Sequence, residues 1–536
     1  MPIESSKGKD HEPLKTLHNA GRKARDNNAS LKPSAGAKTA KTTGEPHNLV
    51  NLSYTYGKKP DPVEGSTNAD DDARTGSSVS MAKEAKTGSN AKPSSIRKAK
   101  KDEKDRELLG RDRWLVRNGH YLTYIGLYLF SILLLFRPYE IVPALGFLSA
   151  TAFYFAIATL VIFLPSQFAT DGNLTMLSTE IKAILAMTLI ALLTMPIAKD
   201  PALAWDKFND TYFKAVVIFI VLVNVVRTRR RLMGLMWLSF GIGIYLGFMA
   251  VSMYIDGKFS VEDYRVGSID VKGMFGNPNE MALHLVMMTP LVITLTIASK
   301  NKLMRAVYLT MSVLFVAANM VTFSRGGFLG LLACSLVLAW KLGRRQRLNV
   351  SIVSVVIGGV AILAAPGNYG RRLLSIFIPS LDPVGSSNQR SELFQRSLLV
   401  TARNPWGIGI GNFQIVGVRN LQTHNAFTQV STELGILGLV AYLVFIISPF
   451  RKLAAIERTL YDRNEQGWFY YLAIGLQASI VGYLVSSFFA SVAYNWFIYY
   501  LIAYAVAFRR IYGLENGLTE EVKPRSLWEW RAAEAK

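Results

Sequence analysis

Long apolar segments, repeated from residue 121 to residue 508, constrain this chain more than any other feature. A helix of about 20 apolar residues spans the hydrocarbon core of a bilayer. Blocks of that size, separated by charged or Gly/Pro-rich breaks, occur about twelve times. We therefore predict an all-α, polytopic membrane protein. The predicted spans lie near 121–136, 141–164, 183–197, 212–226, 232–254, 280–299, 306–323, 326–340, 349–365, 424–448, 467–489 and 491–508.

Basic residues in the short loops predict the orientation of these spans. The loops near 227–231, 300–305, 341–347 and 451–463 are rich in Lys and Arg, and each follows an even-numbered span. Such loops stay on the cytoplasmic side of the membrane. We therefore predict that both termini are cytoplasmic. The net charge of +22 is explained mostly by this topology, so we do not predict nucleic acid as a partner.

The polar segments divide the chain into five parts. Residues 1–112 are nearly free of large apolar side chains, which predicts a disordered, basic cytoplasmic tail. The stretch 95–106 either contacts anionic membrane lipids or is a solvated tail. Residues 113–365 then hold helices 1–9, 366–423 form a large extracytoplasmic loop, 424–510 hold helices 10–12, and 511–536 form a cytoplasmic C-terminal tail. The one cysteine, Cys334, lies in a predicted span, so no disulfide framework is expected.

Loops on the outer side of a membrane are normally poor in Lys and Arg, which we call the charge rule. The predicted outer loop 366–423 contradicts this rule, because it contains Arg371, Arg372, Arg390 and further arginines. The planar guanidinium donates two parallel hydrogen bonds to phosphate oxygens. The excess indicates either a site for an anionic, phosphorylated substrate or contacts with lipid head groups. Composition alone leaves both interpretations open.

Two further predicted outer turns carry an arginine. Arg265 precedes the run Gly273–Asn279, in which Asn277 and Asn279 are also suited to capping the next helix. Arg325 lies in a Ser-Arg-Gly-Gly turn between two spans. A charge in such a tight turn at the membrane is costly unless it is paired, and the glycines allow close approach of the backbone. We predict a functional role for Arg325.

His424 is the candidate general base, at the start of the tenth predicted span. Histidine accepts and donates protons near neutral pH. Neighbouring arginines would disfavour the charged imidazolium and keep the ring neutral. Thr423 or Asn425 is also suited to capping the helix there. Glu433 is about half a turn out of phase with His424, and is a poor orienting partner unless Gly435 bends the helix.

The residues between 265 and 438 resemble the O-antigen ligase and polymerase superfamily of bacterial envelope glycan assembly. Four motifs carry the resemblance, in the order Gly273–Asn279 (GMFGNPN), Ser324–Leu329 (SRGGFL), Arg390 with Asn404–Phe413 (NPWGIGIGNF), and His424-Asn425 with Glu433–Gly438 (ELGILG). The first four spans and the polar tail lie outside it.

The resemblance implies a glycosyltransferase of GT-C-like helical architecture in the bacterial inner membrane. Such an enzyme transfers a glycan from undecaprenyl diphosphate to an acceptor hydroxyl at the outer face, without a metal or another cofactor. Arg265 and Arg325 would hold the diphosphate, Arg390 would support the glycan-phosphate end, and His424 would activate the acceptor. Asn277 and Asn279 are added as substrate-binding candidates from the motif, and Arg371 and Arg372 from charge alone.

Several functions remain open from the sequence. The acceptor could be a lipid A core sugar (ligase), a growing glycan (polymerase) or a protein hydroxyl (oligosaccharyltransferase). A solute transporter is the alternative from another class. Ion-coupled carriers usually place carboxylates or histidines within the spans, and few are found there in this chain.

Overall fold

The computed structural model describes residues 118–136, 143–146, 148–171, 173–259, 276–345 and 386–518, with Tyr139, Val266 and Ile352. Within these residues, every regular element is helical. The longer helices are α1 (Asn118–Phe136), α2 (Leu148–Asp171), α3 (Thr179–Thr194), α4 (Pro201–Val225), α5 (Arg229–Ile255), α6 (Pro278–Ala298), α7 (Lys302–Val321), α8 (Arg325–Leu342), α9 (Ser386–Arg403), α10 (Ala426–Glu433), α11 (Gly435–Asp462), α12 (Trp468–Ser487) and α13 (Trp496–Glu515).

The prediction of an all-α, polytopic membrane protein is confirmed. In the part of the chain that the structure describes, 9 helices are long and apolar enough to cross a membrane, namely α1, α4 to α8 and α11 to α13. Helix α2 contains a shorter apolar segment, Tyr154–Ala169. The predicted span 349–365 and nearly all of both polar tails lie outside the described residues, so the number of twelve spans stays a prediction.

Helix α4 begins earlier than the sequence analysis predicted. Its start is fixed by Asp200, whose side chain accepts a hydrogen bond from Leu203 N at 3.0 Å, and by Pro201 in the first turn. Both residue types favour a helix start. The helix then passes through a π-helical segment, Phe208–Phe213. Its first turns therefore carry charged side chains that the prediction had assigned to a loop.

The tenth predicted span is divided into two helices. The short helix α10 ends at Glu433, and α11 continues from Gly435 to Asp462. Gly435 has φ +73° at the break. A residue with a Cβ atom is disfavoured in this left-handed conformation, whereas glycine adopts it readily. The membrane span itself begins at Gly435, and His424 precedes both helices.

Helix α6 packs among several other helices of the bundle. It packs against α7, α8 and α12, while α3 packs against α11 and α4 against α13. In both α6 and α13, 83% of the 18-residue apolar segment is buried inside the protein. These helices are therefore covered by other helices rather than by lipid.

Buried ion pairs join the basic ends of the helices. Arg509 of α13 donates two hydrogen bonds to Glu180 of α3, at 2.7 and 3.0 Å. Lys341 and Arg344 bind Glu457 of α11 at 2.7 and 3.0 Å. Pairing of this kind is what keeps a buried charge tolerable in a low-dielectric interior. These carboxylates were missed by the sequence analysis, and they lie at the opposite end of the helices from the candidate site.

Candidate active site

The Ser-Arg-Gly-Gly segment starts helix α8 and buries Arg325 against two other helices. Ser324 Oγ accepts the Gly327 N–H at 3.2 Å and donates to Asn279 Oδ1 of α6 at 2.9 Å. Ser486 Oγ of α12 donates to the Gly326 carbonyl at 2.9 Å. Arg325 is only 8% exposed. The segment is thus fixed between α6 and α12.

The two glycines of this segment are required by close contacts. A Cβ atom at Gly326 would lie 2.9 Å from Phe489 Cβ, and one at Gly327 would lie 2.7 Å from Ala282 Cβ. Helices approach closely in membranes where small residues face each other. The sequence interpretation, that these glycines allow close approach around Arg325, agrees with this geometry.

His424 is held in a backbone conformation that non-glycine residues rarely adopt. Its φ is +51°, and its N–H donates to Ser491 Oγ at 2.8 Å. Ser491 Oγ is also 3.1 Å from Thr423 Oγ1. Asn425, rather than Thr423, caps α10, because its side chain accepts from Phe427 N and Thr428 N. Left-handed residues of this kind persist where the surroundings hold them, often at functional sites.

Arg325, Arg390 and His424 line one cavity of about 250 Å³. Arg325 comes from the start of α8, Arg390 from α9, and His424 from the turn before α10. The remaining lining residues are Ser391, Phe394, Thr423, Asn425, Phe488 and Phe489. Phe488 is 6.0 Å from Phe394 and 5.4 Å from Phe489, measured between ring centroids. The cavity therefore combines cations and a histidine with an aromatic wall.

The electrostatics of this cavity favour a neutral imidazole. Burial lowers the pKa of His424, and the positive charge of Arg390 lowers the pKa further. Both effects disfavour the imidazolium, since desolvation and a nearby like charge penalise the charged form. A neutral histidine can accept a proton from a hydroxyl.

The other predicted site residues do not line this cavity in the described part of the chain. Arg265, Arg371 and Arg372 lie outside the described residues. Asn277 caps α6 through a 2.9 Å hydrogen bond from Asn279 N, and the Asn279 side chain accepts from Ser324. These contacts are structural, and a direct role for either asparagine in substrate binding stays a prediction.

The glycine-rich loop 404–412, which follows α9, contacts the break between α10 and α11. Ile408 N and Gly409 N donate to the carbonyls of Thr432 and Glu433, at 2.9 and 3.0 Å. Ile436 N donates to Pro405 O at 2.9 Å. The loop thus pairs backbone groups that a helix end leaves without partners inside the helix. The motif Asn404–Phe413, which carries part of the family resemblance, therefore has a structural role in this chain.

A second cavity, of about 680 Å³, was not predicted from the sequence. It is lined by Leu134, Tyr139, Lys207, Asp210, Thr211, Lys214, Glu280, Ile410, Gly411, Gln414, Gln422, Gln429, Glu433, Ser491, Tyr494, Asn495 and Trp496. Glu433 therefore faces this cavity and is not among the residues around His424. The Asp-Pro pair at 200–201 was the available sequence signal, because it places the start of α4 early enough to carry Lys207 and Asp210.

Neither cavity presents an obvious metal site. Across the described residues, no three His, Cys, Asp or Glu side chains are grouped as metal ligands.

Comparison with known proteins supports the family resemblance of one part of the chain. Residues 310–443 match the family model described as O-Antigen ligase. No curated protein matches the chain. The matched residues include Arg325, Arg390 and His424, which the structure brings to one cavity. This match supports the resemblance of residues 310–443 to the O-antigen ligase and polymerase superfamily.

Proposed function

We propose that this membrane enzyme transfers a glycan from undecaprenyl diphosphate to an acceptor hydroxyl at the outer face of the bacterial inner membrane. The acceptor is a lipid A core sugar, a growing glycan or a protein hydroxyl, and the reaction proceeds without a metal. The orientation follows from the basic helix ends, which lie opposite the cavity, because such ends stay cytoplasmic.

The observation that carries this proposal is the amphipathic character of the 250 Å³ cavity. A lipid-linked sugar diphosphate has an anionic centre next to an isoprenoid chain. Arg325 and Arg390 supply guanidinium groups for phosphate oxygens. An apolar surface for the isoprenoid is supplied by Phe394, Phe488 and Phe489. Phe488 is 46% exposed. One cavity thus matches both parts of the donor.

The chemistry of transfer follows from the same residues. The acceptor hydroxyl oxygen attacks the anomeric carbon of the donor sugar and loses its proton to the neutral His424 ring. The bond between the anomeric carbon and the diphosphate oxygen breaks, and its electron pair leaves with undecaprenyl diphosphate. Arg325 and Arg390 stabilise the negative charge that develops on the leaving group. Fixed charges in a water-poor site are effective in this role.

A transporter is less well supported by the described residues. The buried carboxylates Glu180 and Glu457 are engaged in ion pairs at the basic end. One histidine within a span, His284, was overlooked by the sequence analysis, and its Nε2 is 3.1 Å from the Ser239 carbonyl oxygen. These three groups therefore have structural partners.

The test uses purified protein in nanodiscs, undecaprenyl-diphosphate-linked glycan and each acceptor class in turn. We expect His424→Ala to lower kcat by about 10² to 10⁴-fold, the contribution typical of a positioned base. Donor binding should persist in His424→Ala and weaken in Arg325→Ala. His47→Ala in the N-terminal segment and Arg305→Ala at the exposed start of α7 are the matched controls.

Three outcomes would count against the proposal. Undiminished transfer by both His424→Ala and Arg325→Ala would refute the assigned mechanism. Inhibition by EDTA that added Mg²⁺ reverses would refute metal independence. Counterflow of a labelled solute in proteoliposomes, with no transfer by the same preparation, would favour the transporter.

A further inference from the structure

The 680 Å³ cavity has the chemistry of a site for an uncharged ligand rich in hydroxyl groups. Its volume lies within the range of about 300 to 1,000 Å³ that is usual for ligand pockets. The lining includes three glutamine side chains, Gln414, Gln422 and Gln429, which both donate and accept hydrogen bonds. Trp496 and two tyrosines supply aromatic surface. Amides and carboxylates beside aromatic rings suit the hydroxyls and the apolar faces of a sugar.

The inner wall of this cavity carries buried polar side chains. Glu433 is 3% exposed, and its carboxyl group lies beside the Tyr494 hydroxyl and the backbone N–H groups of Gly411 and Phe413. Glu280 accepts one hydrogen bond from Asn495 Nδ2, at 3.3 Å. The wall therefore carries carboxyl and amide groups that are able to hydrogen-bond to a polar ligand.

Charge distinguishes this cavity from the one around His424. No arginine or histidine lines it among the described residues, and its wall carries the carboxylates of Glu280 and Glu433. At the rim, Lys214 binds Asp210 at 2.8 Å. The aliphatic stem of Lys207 lies against Gly411, since a Cβ atom there would be 2.5 Å from Lys207 Cγ. A diphosphate is therefore favoured in the His424 cavity and an uncharged sugar in this one.

The two cavities share one structural element. Ser491 lines the larger cavity, and its hydroxyl accepts the N–H of His424, which lines the smaller one. Gln429 of α10, in the larger cavity, accepts from Ala493 N at 3.3 Å. The segment 491–495 thus connects the candidate base to the larger cavity.

We infer that the larger cavity is a glycan-binding site, in which Glu433, Glu280 and the glutamine side chains hydrogen-bond to sugar hydroxyls next to the transfer site. The inference rests on the proposed function, because it names where the sugars of that reaction lie. These sugars belong to the acceptor or to the glycan of the donor.

The first experiment measures sugar binding without any transfer reaction. Saturation-transfer-difference NMR is recorded on the protein in nanodiscs with glucose, galactose, mannose and N-acetylglucosamine as probes. Glu433→Gln replaces the carboxyl group with an amide of nearly the same shape, and Gln422→Trp fills the exposed rim. The matched controls are Asp256→Asn at the exposed end of α5 and Gln466→Trp in an exposed loop at the other end of the bundle.

We expect at least one sugar to bind the wild type and both controls. It should bind about tenfold more weakly to Glu433→Gln, as for one lost hydrogen bond, and to Gln422→Trp, because the larger side chain occupies the rim. Inorganic pyrophosphate should not displace the sugar, and its own binding should be lost in Arg325→Ala. Sugar binding unaffected by both cavity variants, no binding of any probe, or displacement by pyrophosphate would overturn the inference.

Transfer kinetics then assign the source of the sugars. A raised KM for the acceptor in Gln422→Trp assigns the cavity to the acceptor, and a raised KM for the donor assigns it to the donor glycan. Unchanged KM values for both would overturn the inference. If the wild type transfers no glycan at all, the proposed function fails, while the binding measurements still decide whether the cavity takes sugars.

Discussion

Replacing Gly407 with alanine tests how the glycine-rich loop positions the helices around both cavities. Gly407 has φ +94°. A Cβ atom at this position would lie 2.5 Å from the Glu433 carbonyl oxygen and 2.7 Å from Gly435 N. These are backbone atoms, which cannot rotate away as a flexible side chain could. The loop or the break between α10 and α11 must therefore move.

The expected cost combines two effects. A residue with a Cβ atom in a left-handed conformation costs about 1 to 2 kcal/mol. Displacing the loop also weakens the hydrogen bonds from Ile408 N and Gly409 N to α10, each contributing about 0.5 to 1.5 kcal/mol. We expect Gly407→Ala to lower the free energy of unfolding by about 2 to 5 kcal/mol. Transfer should fall about 10²-fold if the residues around α10 shift by about 1 Å.

The single cysteine provides the assay. Cys334 is 1% exposed in the core between α6, α8 and α12, so a thiol-reactive fluorophore labels it only when the protein unfolds. The labelling temperature is compared between wild type, Gly407→Ala and the control Gly467→Ala. Gly467 has no atom within 4 Å of an added Cβ and has negative φ. Equal labelling temperatures and equal transfer rates for all three proteins would refute this account of the loop.

Two further predictions concern the charged residues. Arg390→Gln should move the acid limb of the kcat/KM profile to higher pH, because the Arg390 charge lowers the pKa of His424 and the uncharged side chain does not. Arg390→Lys should keep the limb near its wild-type position, and identical profiles for wild type and Arg390→Gln would contradict the assignment. Glu180→Gln should destabilise the protein by about 3 to 5 kcal/mol, because Arg509 is left as a buried charge, and Glu180→Gln/Arg509→Met should recover part of this loss. Transfer per folded molecule should stay at the wild-type level in both Glu180 variants. A labelling temperature that is higher for Glu180→Gln than for the double variant would count against this account.

The sequence by itself determined the fold class and most of the spans. Hydrophobic length belongs to a contiguous segment, so the apolar blocks near 280–299 and 467–489 predicted α6 and α12 closely. The predicted helix boundaries were wrong where capping residues or a glycine, rather than hydropathy, determined where a helix begins or ends. Asp200 and Pro201 start α4 among charged residues, and Gly435 divides the predicted tenth span.

The candidate site was only partly predictable. Arg325, Arg390 and His424 were selected as exceptions to the charge rule and by family resemblance, one motif at a time. Their meeting in one cavity, the turning of Glu433 into a second cavity and the connection through Ser491 required the tertiary structure. A span depends on the transfer of one segment from water to lipid. A cavity depends on how helices far apart in the sequence pack and which side chains they leave facing each other.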